Sequence, residues 1–118
     1  MTSDGNARRL LEAERQACLD RLGALERDHA GIVDAVRSAN SDDEHDPEGA
    51  TVAYEREHVA ALLDQTRDQV SRVDAALRRL DEGTYGRCER CGRAIAPGRL
   101  QARPTATMCI ACATLGGP

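Results

Sequence analysis

Apolar residues recur through the first third of the chain at Leu11, Cys18, Leu22, Leu25, Ile32 and Val36, mainly in steps of seven, four and three. These are the a and d spacings of a heptad, and they predict a helix over about residues 3–39, with Arg15 and His29 as polar interruptions of the seam. A second, more regular stripe runs through Val52, Arg56, Val59, Leu63, Thr66, Val70, Val73, Leu77 and Leu80. Its alternating steps of four and three predict a helix over about residues 47–81. Between them the pattern lapses from Ser38 to Gly49, where acids gather at Asp42, Asp43, Glu44, Asp46 and Glu48. Asp46-Pro47-Glu48 reads as a helix start, with Asp as N-cap, Pro at the first helical position and an acid in the first turn. So short a link cannot carry the chain back along a helix ~50 Å long, so the helices run antiparallel. The expected product is a coiled-coil hairpin with an acidic tip at about residues 40–50. A thin seam of Thr66, Cys18 and alanines predicts modest stability. A monomer is the favoured reading, with an intermolecular coil as the alternative.

Beyond Leu80 the periodicity stops. Gly83 reads as a helix terminator, and four of the five cysteines follow in two C-x2-C pairs. Cys88 and Cys91 are separated from Cys109 and Cys112 by 17 residues, which suits a four-thiolate zinc site. Gly92 supplies the backbone freedom that such a turn needs. Four protein ligands complete a tetrahedron and leave no position for water or substrate, so the Zn2+ is read as structural and the chain as no enzyme. A disulfide framework would suit a secreted protein, but Met1 is followed by a polar stretch rather than an apolar signal segment. A redox C-x-x-C would sit beside a βαβ unit, and strand pattern is nearly absent here. Cys18 falls in the seam and reads as a buried, inert thiol rather than a fifth ligand. Tyr85, Ile95, Leu100, Met108, Ile110 and Leu115 are the residues able to pack around the metal. Ala94 to Leu100, centred on Pro97-Gly98, reads as a small hairpin or tight loop, and any helix after Cys112 is vestigial.

Composition narrows the fold class to one dominated by α-helix. There is no Trp or Phe, Tyr54 and Tyr85 are the only aromatics of that group, and charged residues make up 31% of the chain, which leaves little for a large globular core. The formal charge of −4 becomes more negative with four thiolates and one Zn2+. Phosphate electrostatics and a recognition helix are both lacking, which argues against sequence-specific DNA binding. No run approaches the ~18 apolar residues of a membrane span, and a soluble, cytoplasmic protein is expected. Residues 1–81 hold 18 acids and 11 Arg, whereas 82–118 hold two acids and five Arg, a polarity able to orient docking on a partner.

The run GTYG-x-C-x-x-CG-x-x-I-x-x-x-RL-x-A-x-P-x-A-x-x-C-x-x-C, from Gly83 to Cys112, covers some thirty residues. It resembles the DksA/TraR family of bacterial zinc-finger regulators, and Asp46 to Thr51, DPEGAT, is similar to shorter members from high-GC bacteria. The resemblance implies a coiled-coil hairpin over 1–81 followed by a four-cysteine zinc module over 82–118. It further implies a regulator that binds RNA polymerase rather than DNA, its coil entering the secondary channel and its tip altering initiation near the catalytic centre. The tip residues carried over are Asp43, Asp46, Glu48 and Ala50. Counted from the first cysteine, the family's Asp-x-x-Asp-x-Ala falls on His45, Glu48 and Ala50, and a shift of one recovers Asp46 as the first acid. Family members that respond to ppGpp use basic residues at the junction of coil and zinc module, and Arg72 and Arg103 occupy two of those positions, while a third is Ala113. The family's longer C-terminal helix is lacking, which implies a weaker or differently anchored complex. The alternatives are a zinc-stabilised coiled-coil adaptor between proteins and a thiol redox sensor.

Overall fold

The computed structural model describes residues 2–42 and 47–115, with side chains described over 4–34 and 51–115. Two long helices, α1 (Thr2–Asp42) and α2 (Pro47–Glu82), precede two short ones, α3 (Pro97–Ala102) and α4 (Ile110–Thr114). No strand occurs among the described residues, and one isolated antiparallel bridge joins Arg87 to Ala94. No described helix is long and apolar enough to cross a membrane. Asp43, His45 and Asp46 lie outside the described residues, while Glu48 and Ala50 belong to the start of α2 with their side chains outside them.

Packing divides the chain into two compact units: Met1–Gln16 with Val70–Pro118, and Ala17–Gln69. The sequence reading instead separates residues 1–81 from 82–118, following the change from heptads to cysteines. By packing, the outer ends of both long helices group with the cysteine module.

In the first unit, Leu11, Val73 and Ala76 form a buried cluster, with Leu77, Leu80 and Tyr85 packed against it. Ala7 is also buried. Arg8 pairs with Asp81 and Arg15 with Asp74, each at 2.7 Å. Seven residues forward on α1 thus match seven backward on α2, an antiparallel pairing in heptad register. Arg15, in the seam, keeps its guanidinium wet enough to reach Asp74 at the rim, so no charge is buried unpaired. The end of α2 is closed by Gly83 at φ +77°. Gly83 donates its N–H to Leu80 O and Thr84 to Arg79 O, the paired bonds of a Schellman cap, which only a residue at ease with positive φ completes cheaply.

In the second unit, Cys18, Leu63 and Thr66 are buried, and Leu22, Leu25, His29, Ile32, Val52, Val59 and Val70 belong to the same stripes. All but Val70 lie in this unit, half-buried. Thr66 tolerates burial because its hydroxyl donates to Leu62 O at 2.7 Å, one turn back on its own helix. Arg67 reaches Glu26 at 3.7 Å and Asp64 at 3.8 Å, exposed pairs worth little. One seam assignment is corrected: Arg56 is exposed. Removing a guanidinium from water without a partner costs more than the stripe gains, so the apolar face is interrupted there. The side chain of Val36 lies outside the described residues.

Candidate metal centre

The first cysteine turn grows directly out of the α2 cap. The Arg87–Ala94 bridge closes its base, Cys88 N–H donates to Arg93 O at 2.8 Å, and Gly92 N–H returns to Cys88 O at 2.9 Å. Gly92 has φ +75°, as the C-x2-C spacing led us to expect, because a side chain there would strain the backbone. The second turn is helical: Cys109, extended at φ −70° and ψ 164°, is the N-cap of α4, and Cys112 lies buried inside it.

The expected hairpin over Ala94 to Leu100 is corrected. Ala96 caps a short helix, α3, with Pro97 in its first turn. Proline is equally at home in a turn and at a helix start, where its missing N–H costs nothing; the Leu100 N–H to Ala96 O bond shows the helical outcome. Cys88, Ile95 and Cys112 form a buried cluster with Leu100, Met108 and Cys109 against it. Tyr85 packs on the helical cluster instead and donates its hydroxyl to Pro104 O at 2.8 Å. Ile110 and Leu115, expected around the metal, are 67% and 73% exposed. Cys109 and Cys112 are three apart and share one face of the turn, so Ile110, one residue on from Cys109, projects elsewhere.

All four sulfurs of Cys88, Cys91, Cys109 and Cys112 lie within 4.8 Å of one another, and Cys91 Sγ is 3.8 Å from Cys109 Sγ. A tetrahedron with metal–sulfur bonds of about 2.3 Å has edges of about 3.8 Å, so the separations suit one zinc ion. The thiol chemistry agrees. Hydrogen bonds from the backbone N–H of Cys91, then of Cys109, hold the Cys88 thiol down to about 6. The Cys109 thiol is also lowered, first by the Cys112 N–H, whereas hydrogen bonding with Cys109 and burial push Cys112 up to about 12. Four sulfurs this close cannot all be thiolates without a cation, and a divalent ion relieves that conflict.

Arg72 is exposed on α2 and Arg103 is exposed just after α3, both in the unit that holds the cysteines. Ala113 is half-buried. Two polar contacts escaped the sequence reading: the bond from Tyr85 to Pro104 O, and that from Arg99, whose Nε donates to Met108 O at 2.9 Å. No spacing rule announces either contact; the only signal was that both stand in the Gly83–Cys112 run.

Residues 83–115 match the family described as the prokaryotic dksA/traR C4-type zinc finger. The RNA polymerase-binding transcription factor DksA of Escherichia coli K12 is 34% identical over 112 residues, covering 92% of this chain and 67% of that protein. The chain belongs to the DksA/TraR family. Its module is a C4 zinc finger and takes one structural Zn2+. DksA of Caulobacter vibrioides is 51% identical over 47 residues, and the chain spans only 33% of that relative's length. The solved structure of transcription factor DksA2 from Pseudomonas aeruginosa superposes with a TM-score of 0.57 at 27% identity, covering 90% of this chain and 81% of that one. The DksA/TraR fold therefore extends beyond the zinc finger into the helical part.

Proposed function

We propose that this protein is a regulator of transcription that binds RNA polymerase, acts without catalysing a reaction, and works in the cytoplasm as a monomer. The observation that carries the reading is the 34% identity over 112 residues with a DksA named for polymerase binding, which reaches through both helices and the zinc finger. In this reading Cys88, Cys91, Cys109 and Cys112 hold the zinc, supported by their mutual separations. A bound ion would tie the two cysteine turns together; the chain's own residues would supply everything a partner touches. Residues 1–81 act as the probing coil and 82–118 as the docking module. The coil enters the secondary channel, and Asp43, Asp46, Glu48 and Ala50 at its tip modulate initiation. Arg72 and Arg103, both exposed, are the proposed contacts for ppGpp or for polymerase.

The test separates docking from regulation. Asp46→Asn with Glu48→Gln removes two charges while keeping side-chain size, and Asn remains a competent N-cap. The expected result is near-normal polymerase affinity with a diminished change in open-complex lifetime, and cross-linking from position 46 to the catalytic channel. Failure of the unmodified protein to co-purify with polymerase overturns the reading. Undiminished regulation by the double variant would move the action away from the tip, as the histidine at position 45 already invites.

A further inference from the structure

The two cysteine turns meet although 17 residues separate them in sequence, and something must fix the second against the first. The segment leading into Cys109 is held by two hydrogen bonds from different elements. Thr107 O accepts the backbone N–H of Glu89, inside the first turn, at 2.9 Å. The next carbonyl, Met108 O, accepts Arg99 Nε at 2.9 Å in a part-buried bond. Two anchors of different origin thus hold the two peptide units before the cysteine.

Arg99 is itself well fixed. Its N–H donates to Ala96 O and its carbonyl accepts from Arg103 N at 2.7 Å. Its neighbour Leu100 packs against the buried cluster of Cys88, Ile95 and Cys112. A guanidinium is a planar donor of constant charge, and its bond to a carbonyl is stronger than a neutral one.

We infer that Arg99 is a positioning residue for the metal centre: its Nε–H bond to Met108 O sets the place of Cys109 relative to Cys88, Cys91 and Cys112. The bond is the counterpart, one peptide removed from the ligand, of the outer hydrogen bonds that orient ligands in other metal sites, where removal costs about 10–100-fold in affinity. This inference rests on the four-cysteine site proposed above.

The experiment compares zinc affinity by chelator competition in the full-length protein, Arg99→Met and Arg99→Lys. Met keeps most of the apolar stem but no donor, and a loss of about 10-fold or more is expected. Lys keeps the charge and a donor and should recover most of that loss. Limited alkylation of the zinc-loaded proteins, mapped thiol by thiol, reads position directly: in Arg99→Met, Cys109 should gain reactivity ahead of Cys88 and Cys112. An affinity for Arg99→Met within about twofold of the unmodified protein, a Lys variant as weak as Met, or parallel gains at all four thiols would each overturn the inference. Absence of zinc from the unmodified protein would instead defeat the four-cysteine site itself.

Discussion

Cys88 and Cys112 sit in one cluster yet differ sharply as acids, the first held down to about 6 and the second pushed up to about 12. The difference predicts how zinc uptake depends on pH. Binding requires thiolates, so each thiol still protonated must release its proton. Above about 6 Cys88 is already ionised and adds nothing to the pH slope, while Cys112 releases a proton throughout. Below about 6 Cys88 joins it. Zinc affinity should therefore fall on acidification, and the slope of its logarithm against pH should steepen below that point. Chelator competition from about pH 5 to pH 8 checks this; a slope that flattens toward acid contradicts it.

Along the helices, burial ranks the seam. Leu63 is 5% exposed, whereas Leu77 only packs against the rim of its cluster. Leu63→Ala should cost about 2–4 kcal/mol and Leu77→Ala less, because the wetter site loses less transfer energy and leaves a smaller cavity. Chemical denaturation of both variants gives the ranking, and equal midpoints would refute it. The helices were legible because a heptad is a geometric signature that survives poor propensity. What escaped was decided by competition between local rules. Arg56 occupies an apolar phase with a charge that must stay wet, and Pro97 serves turns and helix starts alike. Ile110 and Leu115 look like core by type, but the phase of a one-turn helix points them outward. The clustering of the four cysteines was legible from spacing, whereas Arg99's reach to Met108 O depends on side-chain length and on α3, which no periodicity encodes.

For the molecule as a whole, metal and helices contribute separately to order. Removing zinc with a chelator should melt the segment around 83–115 while most helical signal persists, because the module is small and draws much of its folding free energy from the ion. Far-ultraviolet circular dichroism with amide exchange would show fast exchange confined to the module. A collapse of the helical signal in step with zinc loss would contradict it. Cys18, buried and not among the four clustered cysteines, should be replaceable by Ala with zinc content unchanged.

The unit that holds the cysteines draws on both ends of the chain, Met1–Gln16 and Val70–Pro118, with Ala17–Gln69 forming another unit between them. A ribosome delivers these pieces in a fixed order. Leu11 is synthesised long before Val73 and Ala76, the residues that cover it, and the cysteines come later still. The opening segment must wait, its apolar face uncovered, for the loop to close at an entropic cost that grows only slowly with loop length. Acquisition of the ion by all four cysteines thus waits for Cys112, which is synthesised after every member of the Leu11, Val73 and Ala76 cluster.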